Sequence, residues 1–336
     1  MSENTIPELV ANRLKEHGTR LLFQRRDGWS WKQITWLDFD REVKNIASFL
    51  MDAGFNTGDR ALIVSSNSLD SIATEIAIYH LGGVLVPLSQ KEDLDKIKEV
   101  ANNLKTKIIF IEDDTLLNNV VDSLNDIKNV EKIIFYTDVR IKHERITNFK
   151  MVLKSGLMKR KKLYDELDKV SQSIGPDSVA AIFIDAEGNG SGTEISHGAL
   201  TEILANASDR YSQIGIEDQS FSYMTTASPF SKFINYLTFY MGTRAAVAES
   251  RQDFYDDILE VMPTILFETK SGLETIYEKS MSNLNGISRE KKLRKDLGDR
   301  IKYIFTDFLP TKEVQNLYLS SGVKFLEVPE LNNLVD

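Results

Sequence analysis

A chain of 336 residues, 42% hydrophobic and 27% charged, can bury a large core and hold two subdomains. A formal net charge of −9 argues against a primary nucleic-acid role, which needs a basic face. The absence of cysteine excludes disulfides and thiolate chemistry, and the four scattered histidines, His17, His80, His143 and His197, show no metal-ligand spacing.

The N-terminal stretch MSENTIPELV lacks the basic region and apolar core of a signal peptide. No apolar run approaches the roughly 20 residues that span a bilayer. A cytoplasmic protein without a transmembrane segment is therefore expected. Pro7 to Gly18 reads as a first helix, with proline near its start and glycine past its end. Leu21–Gln24 and Gly28–Trp31 read as a hairpin around Arg26-Asp27-Gly28. Thr35 then caps a helix whose apolar face is Leu37, Val43, Ile46, Ala47 and Leu50, ending at Gly54. Strands follow at Ala61–Val64, Val84–Leu88, Lys107–Ile111 and Lys132–Tyr136, with helices at Ser68–Leu81, Asp93–Leu104 and Asp114–Leu124 between them. Such alternation implies βαβ units and a largely parallel sheet.

Lys154 to Lys162, with Lys159-Arg160-Lys161-Lys162, reads as a solvated loop; a membrane-surface or partner contact is the alternative. A boundary is expected near residues 172–178, dividing a first α/β subdomain, 1–175, from a second, 176–336. The second half alternates again. Strands are expected at Val179–Ile184, Ser220–Met224, Arg244–Ala248, Thr264–Phe267, Ile301–Phe305 and Lys324–Val328. Helices are expected at Ala199–Tyr211, Phe230–Tyr240, Phe254–Met262 and Gly272–Asn283, and again after Pro310.

The stretch Val179 to Gly198, VAAIFIDAEGNGSGTEISHG, joins a buried strand to a loop with glycines at 188, 190 and 192 and hydroxyls at Ser191 and Thr193. A Gly-rich loop after a strand can wrap a phosphate with its backbone N–H groups. It can also be a plain polar hairpin, since neither GxxxxGK[ST] nor GxGxxG is present. The stretch resembles the phosphate motif of the adenylate-forming enzymes, YTSGTTGxPKGVxxSH. That superfamily includes acyl-CoA synthetases, luciferase and peptide-synthetase adenylation domains. Gly188, Gly192, Ser196 and His197 match, whereas Ile184, Asp185, Ala186 and Glu187 replace the Ser/Thr cluster and Ser191 replaces the lysine. The first half is also similar to the N-terminal subdomain of acyl-CoA synthetases in its order of W-S-W, A-G-F-x-x-G-D-R, S-N-S and L-G-G-V-x-V-P-L.

The resemblance is closest to long-chain fatty acid CoA ligases and lets each catalytic position be inspected. Ser228 stands where FLPLSHVFE has its histidine, and Lys270-Ser271 where PTVFLAVPRVWEKIYE has Pro-Arg. Thr306-Asp307-Phe308-Leu309-Pro310 corresponds to the adenine-contacting SGGAPL. Val328-Pro329-Glu330-Leu331-Asn332-Asn333 corresponds to GYGLTE, with asparagine at the magnesium-binding glutamate. The β-barrel subdomain and C-terminal domain of the family are not in this sequence. The resemblance thus implies an α/β fold of two mostly parallel sheets flanked by helices. It also implies a vestigial phosphate loop at Gly188, Gly190, Ser191, Gly192 and Thr193. No catalytic residue, metal site or cofactor is expected, and the chain would act as a binding or regulatory module for an acyl or nucleotide ligand. The alternative is a divergent or split ligase using ATP and magnesium; a third reading is an unrelated doubly wound fold binding a nucleotide at a switch point. A homodimer or partner protein is expected to cover the last strand, with no nucleic-acid partner.

Overall fold

The apolar runs and amphipathic helices build two sheets in a computed structural model that describes residues 3–184, 192–222, 228–248, 253–282, 284 and 286–327. The chain opens with α1 (Ile6–His17), the hairpin β1 (Leu21–Asp27) and β2 (Ser30–Thr35), and α2 (Trp36–Asp52). Next come β3 (Arg60–Val64), α3 (Leu69–His80), β4 (Val84–Leu88), α4 (Leu94–Asn103) and β5 (Ile108–Ile111). A short 3-10 turn, Asp114–Leu116, leads into α5 (Leu117–Asp122), β6 (Lys132–Phe135), β7 (Ile146–Asn148) and the long α6 (Phe149–Gln172). The centre holds β8 (Val179–Ile184), β9 (Gly192–Ser196), α7 (His197–Arg210), β10 (Gln219–Ser222), α8 (Pro229–Met241) and β11 (Arg244–Val247). The remainder is α9 (Phe254–Val261), β12 (Ile265–Phe267), α10 (Lys270–Met281), α11 (Arg289–Asp296), β13 (Tyr303–Thr306), α12 (Lys312–Ser320) and β14 (Lys324–Glu327).

Side-chain caps start many of these helices. Thr5, Ser68, Asp93, Asn148, Thr269 and Ser288 each accept a backbone N–H three residues on, removing one orphan donor of the first turn.

The chain forms two compact units, Met1–Thr19 with Trp36–Asn206 and Thr225–Tyr236, and Arg20–Thr35 with Ala207–Met224 and Leu237–Asp336. In the first unit the sheet order is β7-β6-β5-β3-β4-β8-β9, parallel except for the β8–β9 pair. Its core gathers Leu62, Val86, Ile109, Ile133, Phe135 and Ile182 from five strands, with Ile97, Val100 and Val120 from the covering helices. In the second unit the order is β14-β13-β12-β10-β11-β1-β2, parallel except for the β1–β2 hairpin. Phe221, Leu266, Ile304, Ile258, Leu273 and Tyr318 lie in its core. Parallel strands covered on both faces read as continuous apolar runs, which is why β3, β4, β5 and β13 are legible in sequence.

The boundary expected at 175/176 falls inside the first unit. β8 continues the first sheet beside β4, and β1 belongs to the second sheet because it pairs in parallel with β11, Phe23 opposite Ala245. The solvated loop expected at Lys154–Lys162 is instead the middle of α6. One face of α6 buries Phe149, Val152, Gly156 and Leu167 while the lysines point outward, so the charge run marks a helix face. Even α6, with 24 residues, is not apolar enough to cross a membrane, and no other helix of the described residues is.

Gly156 sets how closely α6 lies on α2. A Cβ at this position would stand 1.8 Å from the Asn45 carbonyl oxygen. Alanine gains up to about 1 kcal/mol over glycine in a helix, but overpacking against rigid backbone costs about 1–3 kcal/mol or more. The clash should win. Gly156→Ala is expected to lower the urea midpoint; a variant as stable as the parent would show that α6 can slide.

Candidate functional site

Ligands of parallel α/β sheets bind beyond the C-terminal ends of the strands. In the first unit those ends carry Ser65, Ser66 and Asn67 after β3 and Glu112 after β5. Gly188, Gly190 and Ser191 of the expected phosphate loop lie outside the described residues. Gly192 and Thr193 open β9, where Gly192 faces Ile184 and Thr193 faces Phe183. A Cβ on Gly192 would meet the Phe183 carbonyl at 2.4 Å, so the close strand approach itself requires glycine. The two strands β8 and β9 pair antiparallel, from Val179 opposite Ser196 to Ile184 opposite Gly192.

The two matched residues that follow have local roles. Ser196 Oγ accepts the Ala199 N–H at 3.2 Å and caps α7. His197 is buried, edge-on to Tyr79 with ring centroids 5.2 Å apart, and neither ring nitrogen has a hydrogen-bond partner. Burial lowers its pKa to about 4, so the ring is neutral at physiological pH.

Ser228, at the position of the family's histidine, precedes α8 and accepts the Ser231 N–H at 3.3 Å through its hydroxyl. Beyond it lies a buried polar cluster that the sequence reading missed. Lys232 on α8 forms an ion pair and hydrogen bond with Glu75 on α3. The Tyr236 hydroxyl donates to Glu75 at 3.2 Å and sits 2.7 Å from the Tyr79 hydroxyl. Asn67 and Asn235 exchange amide hydrogen bonds at 3.1 and 2.7 Å. Glu75, Tyr79 and Tyr236 are fully enclosed, and burial pushes the Glu75 carboxyl up against the attraction of Lys232. The signal was a lone carboxylate in the apolar SIATEIAIYH and a lone lysine in PFSKFINYLTFYM. Two single charges in two apolar helices need each other.

Removing one partner of a buried pair costs about 3–5 kcal/mol, because the other charge is stranded. Lys232→Met should therefore destabilise strongly. Glu75→Leu combined with Lys232→Met should cost clearly less than the two single losses added together. Strict additivity in denaturant unfolding would disprove the coupling.

In the second unit, Glu268 and Thr269 follow β12, and Asp307 and Phe308 follow β13. Lys270 and Ser271 open α10, where Thr269 Oγ1 caps the helix by accepting the Gly272 N–H at 3.2 Å. The Asp307 carboxylate accepts the Lys270 and Phe308 N–H groups, both at 2.7 Å. Glu268 is buried; one oxygen accepts the Thr269 N–H at 2.8 Å and the other has no partner. A Cβ on Gly272 would lie 1.9 Å from that carboxylate, so glycine is what leaves room for it. Asn332 and Asn333 lie outside the described residues. No three His, Asp or Glu side chains of the described residues gather as metal donors.

A family model described as AMP-binding enzyme matches residues 12–318. The chain belongs to this family. It is similar to tenellin synthetase of Beauveria bassiana (strain ARSEF 2860), 29% identical over 106 residues, which are 32% of this chain and 2% of that protein. It is also similar to the long-chain-fatty-acid–CoA ligase FadD15 of Mycobacterium bovis (strain ATCC BAA-935 / AF2122/97), 18% identical over 131 residues, 39% of this chain and 22% of that protein. The chain thus spans a small part of these curated relatives. Among solved structures, the A-PCP didomain of carboxylic acid reductase from Segniliparus rugosus in complex with AMP superposes with a TM-score of 0.75 at 16% identity. The match covers 96% of this chain and 51% of that one. The AMP-binding fold expected from the motifs is therefore present.

Burial pushes the Glu268 carboxyl up to about 8 from 4.5, against the Thr269 hydrogen bonds. Between those values the folded chain keeps a proton that the unfolded chain has lost, so stability falls as pH rises. The buried histidines act in the other direction and lower down. His80, also lowered to about 4 chiefly by burial, and His197 cost stability as pH falls below 6.5. From about pH 6.5 to about pH 8.5 the Glu268 contribution is on the order of 2 kcal/mol. Glu268→Gln should flatten the decline over that window, and equal slopes in parent and variant would exclude this source.

Proposed function

We propose that this member of the AMP-binding enzyme family is catalytically degenerate and acts as a binding or regulatory module. The observation that carries the reading is the turn after β13. There the Asp307 carboxylate takes up the N–H groups of Lys270 and Phe308, where the family resemblance implies glycines that let adenine lie on the backbone. An acidic side chain that spends backbone donors on itself does not fit that contact. Phe308 beside it is 60% exposed. Ser228 in place of the histidine caps a helix, and Ser191 replaces the lysine of the phosphate motif. Adenylation needs positive charge on the transferring phosphoryl oxygens. Ser191 stands where the lysine would supply it, and Asn333 where a glutamate would hold the magnesium ion.

A retained ligand fits this reading better than turnover. The reductase domain that the chain resembles is solved with AMP, which makes a nucleotide one candidate and an acyl group the other. ATP–pyrophosphate exchange with fatty and amino acids, with and without magnesium, should stay at background. Thermal shift with AMP, ATP, acyl-CoAs and free fatty acids should still reveal a ligand; at about 100 times its Kd it stabilises by about 2.7 kcal/mol. Exchange above background that Thr193→Ala abolishes would overturn the reading in favour of a divergent ligase or one completed by a second chain.

A further inference from the structure

Residues 150–162 contain six cations, Lys150, Lys154, Lys159, Arg160, Lys161 and Lys162, and no acid, within a chain of net charge −9. They lie on α6, whose other face is packed on α2. Three large apolar side chains stand among them in solvent: Met158 is 77% exposed, Leu157 56% and Met151 49%. Single exposed apolar residues are ordinary, but three on one helical face interleaved with lysines make an amphipathic surface of a particular kind.

The charges are not consumed within the fold. Lys159 pairs with Asp52, and Arg160 donates to the Arg41 carbonyl at 3.4 Å. Lys150, Lys154, Lys161 and Lys162 have no carboxylate within 4.0 Å among the described residues. A second observation points the same way. A groove of about 740 Å³ beside α6 has Arg41, Lys44, Arg160 and Lys161 in its walls against Asp40 and Asp165. Lys44 and Asp40 pair at 2.9 Å, and the exposed Arg41–Asp38 contact at 3.2 Å is weak. The groove therefore keeps a cationic balance, and it shares Lys161 with the exposed face.

We propose that this face of α6, with the adjoining groove, docks on a bilayer containing anionic phospholipid. The lysines and the groove meet headgroup phosphates, while Met151, Leu157 and Met158 enter the boundary between headgroups and acyl chains. A nucleic acid offers those three side chains nothing, since its affinity comes from phosphate contacts. Acidic residues more than a Debye length from the surface are screened from it, so attachment is local and salt-sensitive. This inference stands apart from the catalytic reading and holds for a degenerate or a working relative alike.

Co-sedimentation of the full chain with vesicles tests it. Vesicles of phosphatidylcholine with about one-third phosphatidylserine should bind the protein at low salt, and pure phosphatidylcholine should not. Met158→Asp should cut binding severalfold. Lys154→Glu, Lys161→Glu and Lys162→Glu should each cut it by more than about fivefold, the worth of one lost surface cation, because each also adds an anion. All four sites are exposed, and circular dichroism checks that the fold survives. Lys295→Glu, on the exposed side of α11, makes the same change in net charge and should leave binding intact. Absence of binding, full binding by Met158→Asp, or an equal loss with Lys295→Glu would overturn the proposal. Release by millimolar inorganic phosphate at constant ionic strength would also overturn it, by marking the groove as a free-phosphate site.

Discussion

Glu75 and Lys232 are enclosed in the first unit where water does not compete, so each depends on the other for its charge. Helix α3 has neighbours on every side and buries nearly all of its residues. Such a helix can tolerate a carboxylate only if a cation and hydrogen-bond donors are delivered to it. The first turns of α8 deliver both, Lys232 directly and Tyr236 one turn later. Tyr79 joins from α3 itself and lays its ring against His197. One charge pair thus fixes the register of α3 against α8, and through Tyr79 it fixes the start of α7. A core built only of leucine and isoleucine would pack there as well but would specify that register less sharply.

The described residues at the family's motif positions share a feature. Each has a local task that the structure makes plain. Gly192 permits a close strand pair, Ser196 and Ser228 cap helices, His197 fills the core, and Asp307 closes a turn. A frame of glycines, caps and buried rings is needed to fold, so it stays legible wherever the fold is kept. That is why an AMP-binding fold is recognisable here at such low identity to its relatives.

Much of the fold was legible because parallel strands leave a strong signature. β4 and β8 begin and end where their apolar runs do. The misreadings have separate causes. The lysine-rich middle of α6 hid a helix, because a helix packed on one side by Val152, Gly156 and Leu167 leaves its outer residues free to be anything soluble. β9 was missed because an edge strand of sequence GTEIS needs only one apolar side chain, Ile195, for the core. On α2 the expected apolar face holds at Val43, Ile46, Ala47 and Leu50, but at its start Trp36 and Phe39 take the buried positions and Leu37 does not. The membership of β1 in the second sheet could not be read at all, since parallel pairing across distant sequence leaves no local pattern. Of the candidate site, the motif frame was visible as residue types. The Glu75–Lys232 cluster became visible only once two apolar helices were seen to carry one charge apiece.

The pairing of β1 with β11 has a consequence for synthesis. Phe23 leaves the ribosome roughly 220 residues before its partner Ala245. At roughly 5–20 residues per second, that interval is on the order of ten to forty seconds. Throughout it the β1–β2 hairpin has a bare parallel edge, and unpaired edges recruit other chains. Arg25 and Arg26 lie along that edge strand. Charge on an open edge discourages such pairing. Arg26, which in the finished sheet is held by Glu260, guards the nascent strand before it has a partner of its own.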